Sequence, residues 1–103
     1  MTVDERTAVI DHLTACEHNM AELKGTAYSG DGDVLANFKR NAERLGLSRF
    51  QVWAVYFNKH IDAINNAIAQ NPITPVDRSE GLGGRLLDAR VYLGLLECLL
   101  NEE

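Results

Sequence analysis

Lys59-His-Ile-Asp62 and Arg85-Leu-Leu-Asp88 each set a cation three residues ahead of a carboxylate. On a helix, residues three apart are surface neighbours, so each tetrad presents one mixed-charge pair. Tyr92 prolongs the second stripe and Glu80 stands just before it. Two adjacent helices carrying such pairs would make a mixed-charge site; taken singly, each tetrad also fits an intrahelical salt bridge on a wet surface. The glycine-rich turn Ser79-Glu-Gly-Leu-Gly-Gly-Arg85 opens the last helix. Unpaired backbone donors at such a terminus can meet a phosphate, with Arg85 on the first turn, although a turn that merely needs room would look the same.

Other chemistry-bearing stretches fail their tests. Ser29-Gly-Asp-Gly-Asp33 suggests a calcium loop, but an EF-hand needs glycine at its sixth position and glutamate at its twelfth. Counting from Ser29 those places hold Val34 and Arg40, and from Asp31 they hold Ala36 and Ala42. Gly25, Gly30 and Gly32 are not followed by Gly-Lys-Ser/Thr, and no strand precedes them, which excludes a P-loop. His12, His18 and His60 lack zinc-ligand spacing, and Cys16 and His18 fall on different helix faces. No Ser-His-Asp or Cys-His set stands out.

The elements that must position these residues are helical. With 103 residues the chain is expected to form one domain, 1–103, with one modest core. Hydrophobic residues make up 46% and charged residues 24%. The net charge is −5 and the pI about 5.1, which argues against duplex nucleic acid as a partner, since that needs a dense basic face. Cys16 and Cys98 lie on apolar stripes and read as small buried thiols rather than a disulfide. The absence of a signal-like segment and of an 18-residue apolar run predicts a cytoplasmic protein with no membrane partner.

Thr2-Val-Asp-Glu5 is a capping box, followed by the stripe Val9, Leu13, Cys16, Met20, Leu23 and a predicted stop at Gly25. After a loop over 25–32, a second helix is expected from Asp33, with Leu35, Phe38, Ala42 and Leu45 inward and Gly46 as its stop. Ser48-Arg-Phe-Gln51 caps a third helix of about twenty residues, its inward stripe predicted as Phe50, Trp53, Phe57, Ile61, Ile64 and Ile68. Val52, Val55, Lys59, Asp62 and Asn66 would form its opposite face, the wall of a pocket or an interface. Asn71-Pro72 ends that helix, and a fourth runs from about Gly83 to Leu100. Val91 to Leu100 contains one charge, Glu97; a helix apolar nearly all round is buried on most sides. A homo-oligomer through this last helix is expected, with Gly94 permitting a close crossing. The fold class is all-α, about four helices in a bundle.

Read together, "KGTAYSGDGDVLANFKRNAERLGL", "QVWAVYFNKHIDAI" and "SEGLGGRLLDARVYLGLL" resemble small helical proteins of bacteriophages and prophages. Those are similar to the MazG-like all-α nucleoside triphosphate pyrophosphatases. The resemblance covers residues 20–100 and implies an oligomeric bundle with a nucleotide site between helices. It implies Tyr28 at the mouth of the site for base stacking, with Asn37, Phe38 and Lys39 close to base or phosphate. The family's magnesium site uses an ExxE and an ExxD pair. Here Lys59 and Arg85 stand where each pair has its first carboxylate, leaving Asp62 and Asp88, with Glu80, as a sparse magnesium set.

On this resemblance Lys59 and Arg85 would neutralise phosphate directly, while Asp62 and Asp88 would contact sugar or base edges or orient the cations. The leading expectation is a phage-type protein that sequesters a phosphorylated nucleotide without cleaving it and needs no cofactor. That nucleotide could be an immune signal made by the infected bacterial host. The alternative is a magnesium-dependent nucleoside triphosphate pyrophosphohydrolase with metal ligands Asp62, Asp88 and Glu80, the first two also catalytic. A third is an inhibitor that binds a host protein through the last helix. The expected ligand-binding residues are Tyr28, Asn37, Phe38, Lys39, Lys59, Asp62, Arg85, Asp88 and Tyr92.

Overall fold

The computed structural model describes residues 1–29, 32–77 and 81–102; for residues 24–29 it describes the backbone alone. Four helices follow one another, α1 (Val3–Ser29), α2 (Ala36–Leu45), α3 (Arg49–Gln70) and α4 (Leu82–Asn101). No strand occurs among the described residues, so the fold is all-α. None of these helices is long and apolar enough to cross a membrane.

Local signals account for most helix ends. The Thr2 hydroxyl accepts from the Glu5 amide at 3.1 Å, and the Thr2 amide donates to the Glu5 carboxylate at 3.2 Å. The Ser48–Gln51 box closes in the same way, at 3.1 and 2.8 Å. Gly46 takes φ 66°, the left-handed C-cap that lacks a Cβ penalty. The predicted stop at Gly25 is corrected: α1 runs on to Ser29. A mid-helix glycine costs only about 1 kcal/mol, and no proline follows to enforce a break. The second helix starts three residues later than expected, because Asp33 makes a turn first. Its carboxylate accepts from the Leu35 amide at 2.9 Å and its carbonyl from the Ala36 amide at 3.1 Å.

The core is Leu35, Phe38, Ala42, Val52, Trp53 and Leu99, with Tyr56, Phe57, Tyr92, Leu95 and Leu96 packed against it. α3 lies between α2 and α4, while α1 touches α4 and, more slightly, α2. This corrects the phase of α3. Phe50 and Ile68 are 38% and 45% exposed, and Val52, expected on the outer face, is 3% exposed. Trp53 and Phe57 face the core as expected, but helices on two sides of α3 bury an arc through Val52, Trp53, His60 and Ala67 that leaves Phe50 and Ile68 at its margin. Leu45, the last residue of α2, points outward instead of inward.

α4 is not wrapped within the chain. α3 and α1 cover two of its sides, and Leu86, Leu93 and Leu100 remain exposed on the third. A Cβ added at Gly94 would lie 3.9 Å from Glu17 Oε1, so no described helix of the same chain crosses closely there. Cys98 is exposed and Cys16 half-buried, both as free thiols, so the expectation of two buried thiols is corrected. The radius of gyration is 15.6 Å, against about 13 Å for a compact chain of this size. The excess reflects α1, whose first residues stand clear of the bundle.

Candidate functional site

Two clefts lie between the helices. The first has a volume of about 390 Å³ and is enclosed by α1, α2 and α4. Phe38, Val91, Tyr92 and Leu95 contribute to its apolar wall, and Glu17, His18 and Asn37 supply polar groups. Three expected ligand residues, Asn37, Phe38 and Tyr92, meet here although more than fifty residues separate them in sequence. Phe38 and Asn37 are delivered by the first turn of α2, which the Asp33 turn orients. The Phe38 ring meets Tyr92 edge-on at 6.2 Å and 80°. Asn37 is set by Asn41, whose Nδ2 donates to the Asn37 carbonyl at 2.9 Å and to its Oδ1 at 3.0 Å. This leaves the Asn37 Nδ2 hydrogens as donors. Glu17 accepts from Arg90 Nη2 at 3.0 Å, so the carboxylate in this cleft is already paired. Cys98, exposed, also lines it.

The second cleft, about 500 Å³, lies where the end of α3 and the following linker meet the start of α4. The carboxamides of Asn66, Gln70 and Asn71 line it together with Asp77 and Arg85. Arg85 Nε donates to Asp77 Oδ2 at 2.8 Å, with both side chains about nine-tenths buried. Arg85 thus pairs across the linker rather than with Asp88 on its own helix.

Asp88 turns into the core, where its Oδ2 stands 3.7 Å from His60 Nδ1. Both residues are buried, and the His60 ring lies 5.1 Å from that of Tyr92. The Tyr92 carbonyl in turn accepts from Trp53 Nε1 at 2.6 Å. A buried histidine and carboxylate therefore sit one ring away from the first cleft. His60 is a core residue outside the expected site, and the signal for it in the sequence is its spacing of seven from both Trp53 and Ala67.

The remaining expected residues lie elsewhere. Lys59 and Asp62 are exposed on α3 and make no ion pair with each other. Asp62 follows His60 by two residues, about 200° around the helix, so it points away from Asp88. Lys39 joins Asp33 and Glu102 at 2.8 Å each, and Arg49 adds a 2.9 Å contact to Glu102. This cluster ties α2 and the start of α3 to the end of the chain. Lys39 holds the Asp33 carboxyl below its ordinary pKa, chiefly by its hydrogen bond and with help from the Leu35 amide. The same bond to Asp33 raises the Lys39 ammonium, and Glu102 adds to the shift. The Tyr28 side chain and Glu80 lie outside the described residues, as does Asp31. Among the described residues no three His, Cys, Asp or Glu side chains come together as a metal site.

No protein-family model, curated protein or solved structure matches the chain. Its four-helix, all-α architecture is compatible with the MazG-like expectation and equally with other all-α families.

Proposed function

We propose that the chain binds a nucleotide-type small molecule in the α1–α2–α4 cleft and holds it without cleaving it, acting as a homo-oligomer assembled through α4. The observation that carries this reading is the meeting of Asn37, Phe38 and Tyr92 in one cleft of about 390 Å³. That volume lies within the range of small-molecule sites, which combine an apolar lining with a few placed polar groups. The apolar wall suits the face of a base, and the oriented Asn37 amide suits an acceptor on its edge. Pairing of Glu17 with Arg90 reduces the repulsion an anionic ligand would meet at Glu17. Exposed Leu86, Leu93 and Leu100 support assembly through α4.

Holding rather than cleaving is supported by the placement of Asp62 and Asp88 on opposite sides of α3, where they share no ligand within one chain. The role of a phage sponge for a host immune nucleotide rests on the resemblance set out above. The test is mass spectrometry of small molecules released on denaturation, after incubation with mixed nucleotides with and without magnesium. An intact nucleotide, insensitive to chelator and lost in Ala21→Trp, which fills the cleft, is expected. Magnesium-dependent monophosphate and pyrophosphate would replace this reading by the pyrophosphohydrolase. Recovery of neither would leave the host-protein inhibitor.

A further inference from the structure

Two helical surfaces are left exposed by the described residues. The first is the overhang of α1. Residues 1–12 are all exposed, with Val3 at 66% and Ile10 at 46%, whereas α1 bonds to α4 from Thr14 and Glu17. The second is the line Leu86, Leu93, Leu100 on α4, at 45%, 52% and 63% exposed. A spacing of seven is two helical turns to within about 20°, so these leucines run nearly straight for about 21 Å. Val3 and Ile10 repeat the same spacing on an overhang about 18 Å long.

The overhang cannot turn back onto the leucine line of its own chain, because it continues one unbroken helix whose later part is already docked. A second copy can supply it. We propose that two copies of this chain associate reciprocally, the α1 overhang of each lying along the Leu86–Leu93–Leu100 line of the other. This inference rests on the reading of α4 as the oligomer interface and names what covers it.

Three observations favour a second copy over a foreign partner. The two apolar lines share the seven-residue spacing, and the overhang that carries Val3 and Ile10 is nearly as long as the leucine line. A two-fold arrangement covers both bare surfaces at once, each residue pair occurring twice, whereas a foreign helix on either would leave the other open. One pair of charges beside the two lines is opposite in sign. Arg6 borders the Val3–Ile10 line, and Glu97, the one charge between Val91 and Leu100, borders the leucines.

Sedimentation velocity of the full chain at tens of micromolar tests the proposal, with circular dichroism confirming helix content. A dimer is expected. Ile10→Lys and Leu93→Lys should each convert it to monomer, shifting the dissociation constant at least a hundredfold, while Val55→Lys, at another exposed apolar residue, should leave it unchanged. Arg6→Glu and Glu97→Arg should each weaken the dimer and restore it when combined. A monomeric parent chain overturns the inference. So does a dimer broken by Leu93→Lys but not by Ile10→Lys, which would mean that α4 pairs with α4. A dimer with this mutational pattern that releases no nucleotide leaves the inference standing and removes the proposed function instead.

Discussion

Leu99 and Leu100 are identical neighbours on one helix, and the structure assigns them opposite energetic roles. Leu99 is 1% exposed and closes the core against Phe38, Val52 and Trp53, whereas Leu100 is 63% exposed. Truncating a fully buried leucine to alanine removes its transfer energy and leaves a cavity, at about 3–5 kcal/mol. Leu100 has about a third of its surface buried, so the same truncation should cost roughly 0.5–1 kcal/mol. Against a total stability of about 5–15 kcal/mol, the first change takes a large share and the second a small one. Urea unfolding of Leu99→Ala and Leu100→Ala, followed by circular dichroism at low micromolar concentration, reads both as midpoint shifts at constant slope. The Leu100→Ala penalty should grow with protein concentration, because its lost contact is with the second copy, and the Leu99→Ala penalty should not. Equal penalties at every concentration would refute the assignment of faces on α4.

Ser48→Ala removes the N-cap of α3 and should cost about 1 kcal/mol in a thermal or urea melt. Trp53→Phe loses the bond to the Tyr92 carbonyl, so about 1–3 kcal/mol of destabilisation is expected, read by circular dichroism because this is the single tryptophan. Since the folded Asp33 pKa is lowered, its contribution is present above the unfolded value of about 3.9 and is lost as pH falls through the folded value. Lys39→Met should therefore flatten the acid side of the stability curve, below about pH 4, as measured by urea midpoints from pH 6 to pH 2.5.

The all-α class was legible because capping chemistry is local. Thr2, Ser48 and Gly46 carry their signals within four residues, and each acts as expected. The phase of α3 was legible only in part: Trp53 and Phe57 face the core as expected, but the margins of the buried arc depend on which neighbours pack on which side. A reading by hydrophobicity alone places Phe50 and Ile68 inward and treats His60 as polar. The structure buries His60 and Val52 because α2 and α4 flank that arc, and an apolar pattern on one helix carries no record of where its neighbours stand. Gly25 failed as a stop for a related reason: breaking a helix there requires some competing contact for the chain beyond it. Asn37 and Phe38 follow from the resemblance and Tyr92 from the stripe it shares with Arg85 and Asp88, and the three line one cleft. The buried partners of Asp88 and Arg85 could not be read: His60 lies on another helix, and Asp77, though only eight residues before Arg85, is brought to it by the path of an irregular linker that no periodic pattern encodes.

The ion pairs constrain how an anionic ligand can be held. Lys39, Arg49, Arg85 and Arg90, all partly buried, each face a carboxylate of their own chain. A phosphate reaching any of them must compete with Asp33, Glu102, Asp77 or Glu17, at charge-assisted distances near 3 Å. Lys59 is exposed and lines neither cleft, and among the described residues no lysine or arginine lines the first cleft, so there the base finds a wall but the phosphates meet no described lysine or arginine. A second copy changes this, because cations exposed on one protomer can approach the cleft of the other. Affinity for nucleoside and nucleotide should therefore be nearly equal in the monomeric Leu93→Lys variant. The parent dimer should prefer the nucleotide at least tenfold, with a preference that fades as salt rises. Isothermal titration of both proteins with a nucleoside and its mono- and triphosphates measures this directly. A monomeric variant that keeps the full phosphate preference would show that one chain supplies the cations itself, and the link between assembly and ligand charge would fall.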